Sequence, residues 1–151
     1  MDKALAVFDE DDTELLTEAG ELAAGVDADL VILSLMTQDE FEDARETLDV
    51  VAQEEQTSYD DEVVLDVARR EAREHAEEVL ADVDVEWQTV AARVDDDDTQ
   101  ASRIIDIAED RGVDHVFLTG QQRSPTGKAV FGDRTQAVIL NFDGPVTTLL
   151  Q

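Results

Sequence analysis

Short, uninterrupted apolar runs separated by segments of helical period constrain this chain more than any other feature. Ala4 to Phe8 (ALAVF) is bounded by Asp9-Glu10-Asp11-Asp12, and Leu30 to Met36 (LVILSLM) is a second such run. Neither alternates strictly between apolar and polar residues, which is the pattern of strands buried on both faces. Val116 to Leu118 and Val146 to Leu150 read as further strands, and Val85 to Val90 alternates as an outer one carrying Trp87. Between them lie helical patterns. Thr13 to Ala24 places Leu15, Leu16, Ala19, Leu22 and Ala23 on one stripe, with Asp12 or Thr13 to cap it and Gly25 to close it. Asp60 to Ala81 is the longest, with Arg70–Glu74 and Arg73–Glu77 as i,i+4 pairs on its wet face. Thr99 to Arg111 and Asp133 to Asn141 complete the set, and the stretch 37–58 has room for a short helix. Alternating strands and helices predict a parallel sheet with helices on both faces.

The 151 residues suit one domain spanning 1–151, with no internal repeat and no linker. Asp and Glu number 39 against 11 Lys and Arg, a formal net charge of −28, yet hydrophobic residues make up 42%. That apolar content separates the chain from acidic disordered tails. No basic stripe is available to displace counterions, so nucleic-acid backbones and anionic membranes are not expected partners. No run is long enough to span a bilayer. Met1-Asp2-Lys3 leads straight into the first strand, so no signal peptide is expected. The absence of cysteine excludes disulfides, thiolate metal sites and thiol nucleophiles. A cytoplasmic protein is expected. Acid-rich, lysine-poor composition resembles that of proteins from salt-accumulating halophilic microbes, where molar salt shortens the Debye length to about 3 Å and screens self-repulsion.

In open parallel sheets, ligands bind beyond the carboxyl ends of the strands. Two segments are shaped for that place: Asp9, and the loop from Gly120 to Gly132, which joins a strand to a helix start with glycines at both ends and carries Arg123 and Lys128. A helix N-terminus beside a glycine is suited to phosphate. The loop is neither a Walker A sequence nor G-x-G-x-x-G. His75 reads as a solvated helix position and His115 as a strand-edge residue. Asp95 to Asp98 lacks the glycine and terminal Glu of an EF-hand loop and reads as solvated. Neither a transition-metal ligand set nor a Ser-His-Asp arrangement is visible.

Over nearly its full length the chain resembles universal stress proteins of the UspA superfamily. The likeness rests on the opening strand ending in Asp9, the acidic segment before a long helix, and the close Gly120…Gly132, short helix, Gly144-Pro145-Val146, final strand. The run Arg123 to Lys128 resembles a haloarchaeal branch of the family. The resemblance implies an open five-stranded parallel sheet, Rossmann-like and akin to the adenine nucleotide alpha-hydrolases, in the order 3-2-1-4-5. It also implies a homodimer through the last strand, 146–150. It further implies an ATP or AMP site in which Asp9 binds ribose and Val31 or Ile32 flanks adenine. Thr119 and Gly120 would present backbone, and Gly132 would approach the phosphates.

The family's ATP-binding members carry Gly-x-x-Gly, nine residues, then Gly-Ser or Gly-Thr. Here Arg123 stands at the second glycine and Asp133 at the Ser/Thr, with Gly132 one residue early. Arg123 could pair with a phosphate. Asp133 would repel one, and is expected to cap the following helix as a built-in substitute for phosphate, offset by Lys128 and Arg134. The expectation is a stress-response module that is not an enzyme, with a degenerate, weak or absent nucleotide site. The alternatives are an ATP- or AMP-binding energy switch and a slow ATPase.

Overall fold

The computed structural model describes residues 1–11, 13–55, 61–95, 98–120 and 132–150. Its elements run β1 (Lys3–Val7), α1 (Glu14–Gly25), β2 (Asp29–Met36), α2 (Gln38–Glu55), α3 (Asp61–Val79), β3 (Trp87–Arg93), α4 (Gln100–Asp110), β4 (His115–Gly120), α5 (Asp133–Asn141) and β5 (Val146–Leu150). The strands form one five-stranded parallel sheet in the order β3-β2-β1-β4-β5. Parallel neighbours require crossover connections, and helices supply them.

Both faces of the sheet are covered, which accounts for the lack of alternation in β1 and β2. On one face Leu5, Val31 and Val116 pack with Ile104 of α4 and Val138 of α5. On the other, Ala6, Ile32 and Phe117 pack with Leu16 of α1 and Ala72 of α3. Full burial of each large side chain contributes about 1.5–3 kcal/mol. Gly20 lets α1 approach the end of α3: a Cβ there would lie 2.5 Å from Leu80 Cδ2.

α5 and β5 occupy the spans expected from sequence, and β1, β2 and α4 agree within a residue or two. α4 starts at a capping box, in which Ser102 N–H donates to Thr99 Oγ1 at 3.0 Å and Thr99 N–H to Ser102 Oγ at 3.1 Å. Such a cap contributes about 1 kcal/mol. Thr13, expected to cap α1, makes no side-chain cap bond, and Asp12 lies outside the described residues.

Three features depart from expectation. α2 is a full helix of 18 residues rather than a short one. Strand β3 begins at Trp87 and runs on to Arg93, because its register with β2 continues to Met36. Of the two expected pairs on α3, Arg73–Glu77 is present at 3.9 Å. Arg70 turns instead toward Asp66, at 3.1 Å. Asp66 also accepts from Arg69, whose hydrogen bond holds its carboxyl below the usual range. Among the described residues no helix is long and apolar enough to cross a membrane.

Candidate functional site

A crevice of about 510 Å³ opens at the carboxyl ends of β1 and β2. That volume lies within the range of small-molecule sites. The register defines its floor. Val7 pairs with Leu33, and Phe8 N–H donates to the Leu33 carbonyl at 2.7 Å. The chain beyond Phe8 therefore meets the last residues of β2, and Ser34, Leu35 and Met36 line the crevice with Asp9. Gln100, at the start of α4, and Arg134, in the first turn of α5, close the opposite wall.

Five carboxylates line this space: Asp9, Glu10, Asp11, Glu40 and Glu71. Asp9 is partly committed to its own turn, since Asp11 N–H donates to its Oδ1 at 3.1 Å. The Glu71 carboxyl is pushed above the usual range, first by a hydrogen bond shared with Glu10, then by burial and the Glu10 charge. A proton is thus held between β1's following loop and α3 more readily than on an isolated Glu. The one cation among the described lining residues is Arg134. Its Nη1 donates to Gln100 Oε1 at 3.1 Å. Burial lowers its pKa, and the charge of Asp9 opposes that shift. The neighbouring Thr135, 2% exposed, donates from Oγ1 to the Thr119 carbonyl at 2.9 Å and fixes the start of α5 against the end of β4.

The residues singled out from sequence divide accordingly. Asp9 lies where expected. Val31 and Ile32 do not flank the crevice. Both are 0% exposed and belong to the cores on opposite faces of the sheet, several residues below the strand end. Thr119 and Gly120 end β4, which runs two residues past the Leu118 expected from sequence; neither lines the crevice, and the Thr119 carbonyl is taken by Thr135. Gly132 is the N-cap of α5 at φ +82°, a conformation that favours glycine. Asp133, expected as that cap, is instead the first helical residue; it is exposed and makes no side-chain cap bond. The cap position is already filled by the glycine. Arg123 and Lys128 lie outside the described residues.

Sequence reasoning missed Glu40, Glu71 and Gln100, which reach the crevice from α2, α3 and α4. His75 is half-buried rather than solvated, with its ring 5.3 Å from that of Phe8. His115 opens β4 as expected; its Nε2 is hydrogen-bonded to Thr147 Oγ1 at 2.7 Å, and its ring stacks on Phe117. Among the described residues no group of three or more His, Asp or Glu could hold a metal ion.

A parallel sheet in this order, with a polar crevice at the carboxyl ends of its central strands, defines a Rossmann-like α/β domain. The Universal stress protein family profile matches residues 2–149. The chain belongs to that family. Solved structures share the fold at low identity. The universal stress protein UspA from Lactobacillus plantarum is 18% identical, with a TM-score of 0.67, covering 98% of this chain and 97% of that one. A universal stress protein from Archaeoglobus fulgidus is 19% identical, with a TM-score of 0.61 over 98% and 97% of the two chains. Another from Archaeoglobus fulgidus, in complex with dAMP, is 14% identical with a TM-score of 0.60, covering 98% and 96%. No significant match is found among curated proteins.

Proposed function

We propose that this chain is a stress-response module without catalytic activity, whose crevice is a degenerate nucleotide site. A relative that binds dAMP makes an adenine nucleotide the ligand class to weigh. The crevice has the volume for a mononucleotide and polar groups for a ribose in Asp9, Ser34 and Thr37. The observation that carries the reading is its charge: five carboxylates against Arg134 among the described lining residues. Two like charges about 4 Å apart repel by about 4 kcal/mol at a surface-like dielectric, before salt screening. A triphosphate entering such a space meets that penalty repeatedly. A ligand with one phosphate beside Arg134 meets it least. Among the described lining residues Arg134 alone could offset the charge of a γ-phosphate in a transition state, which supports a binding role over a slow ATPase.

Calorimetry in molar KCl tests the reading with ATP and AMP against the wild type and the Glu10→Gln/Glu71→Gln double variant. The expected result is ATP binding weaker than AMP binding, with ATP gaining more from the double substitution. Protein that retains stoichiometric ATP through purification would overturn it.

The same reading includes a homodimer through β5. Val116 N–H bonds the Pro145 carbonyl, and Val116 pairs with Val146. In a parallel ladder that register turns the peptide groups of Val146, Thr148 and Leu150 to the open edge. The strand VTTLL carries no charge, and no lysine or proline within it blunts that edge. Cytoplasmic residence in a salt-rich cell completes the proposal, on the strength of the −28 charge.

A further inference from the structure

The opposite edge of the sheet, β3, is bordered by two arginines, Arg103 and Arg111. Among the described residues, the arginines of α2, α3 and β3 all lie within 4.0 Å of a carboxylate. Arg103 and Arg111, of α4 and its C-terminus, have no such partner among the described residues, as Arg134 of the crevice has none. Both line a groove of about 530 Å³ that runs between α4 and β3, together with Ile107 and one carboxylate, Asp110, so cations outnumber acids two to one among its described lining residues.

The backbone beside this groove is open. Leu30 N–H donates to the Glu86 carbonyl, and Val94 N–H to that of Met36. With Leu30 paired to Trp87 and Met36 to Arg93, alternate residues of β3 face β2, and the peptide groups of Trp87, Thr89, Ala91 and Arg93 face outward. The last of these carbonyls, Arg93, accepts from Arg103 Nε at 3.3 Å. That contact closes the carboxyl end of the edge and leaves Thr89 and Ala91 without a strand partner among the described residues.

We propose that the β3 edge with Arg103 and Arg111 is a docking site for an extended acidic segment of a partner protein, added as a sixth strand. Charge complementarity selects the occupant. Two arginines without a carboxylate partner among the described residues, facing the single Asp110 along one open strand, fit a ligand that brings its own carboxylates. The spacing is specific. Eight residues of helix separate the arginines, about 12 Å, and a strand covers that distance in about four residues. Residues four apart also lie on the same face of a strand. The segment therefore carries acids at i and i+4, with an apolar residue at i+2 over Ile107. Strand addition supplies main-chain bonds to Thr89 and Ala91, and the arginines supply selection.

The test uses an acetylated, amidated peptide, Thr-Thr-Glu-Thr-Val-Thr-Glu-Thr-Thr, and its counterpart with Lys at both Glu positions. Binding is followed by ¹⁵N NMR and amide exchange on the full chain. The expected result is protection of the Thr89 and Ala91 amides by the Glu peptide only. Arg111→Gln and Arg103→Gln should each weaken binding roughly two- to fivefold, the range for exposed ion pairs. Arg111 is exposed and has no packing role, so its variant reads the interaction even if Arg103→Gln disturbs the edge. Equal binding of the Lys peptide, protection at β5 instead, or no binding at millimolar peptide would overturn the proposal. So would tighter binding of a uridine oligonucleotide at the same amides. Loss of the protein's self-association in Arg111→Gln would also overturn it, by assigning the edge to a second copy.

Discussion

The two open edges of the sheet share a geometry and differ in chemistry. Each turns three adjacent outward peptide units to its surroundings: Val146, Thr148 and Leu150 on β5, and Trp87, Thr89 and Ala91 on β3. β5 has no charged residue, and the helix before it leaves Leu140 72% exposed. β3 is flanked by Arg103 and Arg111 and is closed at one end by Arg103. An edge without charge is suited to pairing with its own copy, where any charge would meet its like across a two-fold axis. An edge bordered by two arginines and one carboxylate, Asp110, keeps an excess of one sign, which disfavours its own copy and favours a complementary chain. One sheet can thus hold two strand-pairing surfaces without confusing them.

The largest expected effect that would break this contrast is at β5. Thr148→Lys sets a lysine and its symmetry mate at the middle of the proposed interface. Sedimentation in molar KCl should show self-association weakened by at least about tenfold, equivalent to about 1.4 kcal/mol. An unchanged dimer would move the interface elsewhere. The equivalent change at the other edge, Thr89→Lys, should leave self-association intact.

Salt provides a second and intermediate lever. From millimolar to molar KCl, screening of the −28 charge should raise the thermal midpoint. For a chain of this size each kcal/mol gained corresponds to roughly 2–4 °C. Association through β5 should tighten over the same range, while the acidic peptide loses from its affinity for β3 only the share that the two ion pairs supply. A flat midpoint would reject the electrostatic account of the composition.

The smallest effect is acidic pH. His115, whose Nε2 bonds Thr147 of β5, has its pKa lowered by burial and by the charged N-terminus, against the opposing pull of Asp114. The unfolded chain therefore binds the proton more readily than the folded one. This contribution to stability is complete above the unfolded pKa of about 6.5 and declines as pH falls through the window below it. Amide exchange in β5 should accelerate there, and that in β3, which contains no titrating group in the range, should not. Equal acceleration of both strands would separate the effect from His115.

What the sequence made legible follows from how strongly each residue's environment was local. β1 and β2 are buried on both faces, and α5 and β5 are marked by Gly132 and by Gly144-Pro145, so pattern and punctuation agree. α2 was under-read because few apolar residues interrupt its acids, and Phe41 is the one fully buried side chain among those described in it. β3 was under-read at its end because Ala91 and Ala92 have weak strand preference, and their pairing with Ser34 and Leu35 decides the matter. In the crevice, Asp9 was legible as the end of an apolar run. Val31 and Ile32 were misplaced because strand register is a tertiary quantity: with Val7 opposite Leu33, only the last residues of β2 can reach Asp9. Glu71 and Gln100 arrive from helices far away in sequence, and no local spacing announces them.

The hydrogen bond from Thr135 to the Thr119 carbonyl has a consequence for how such a domain can change over generations. It pins together two positions 16 residues apart, the end of β4 and the first turn of α5. Gly132, with its positive φ, and Arg134, with its bond to Gln100, sit at the same junction and should change less freely than the exposed Asp133 between them. Position 133 is thus open to revision by lineage without renegotiating the core.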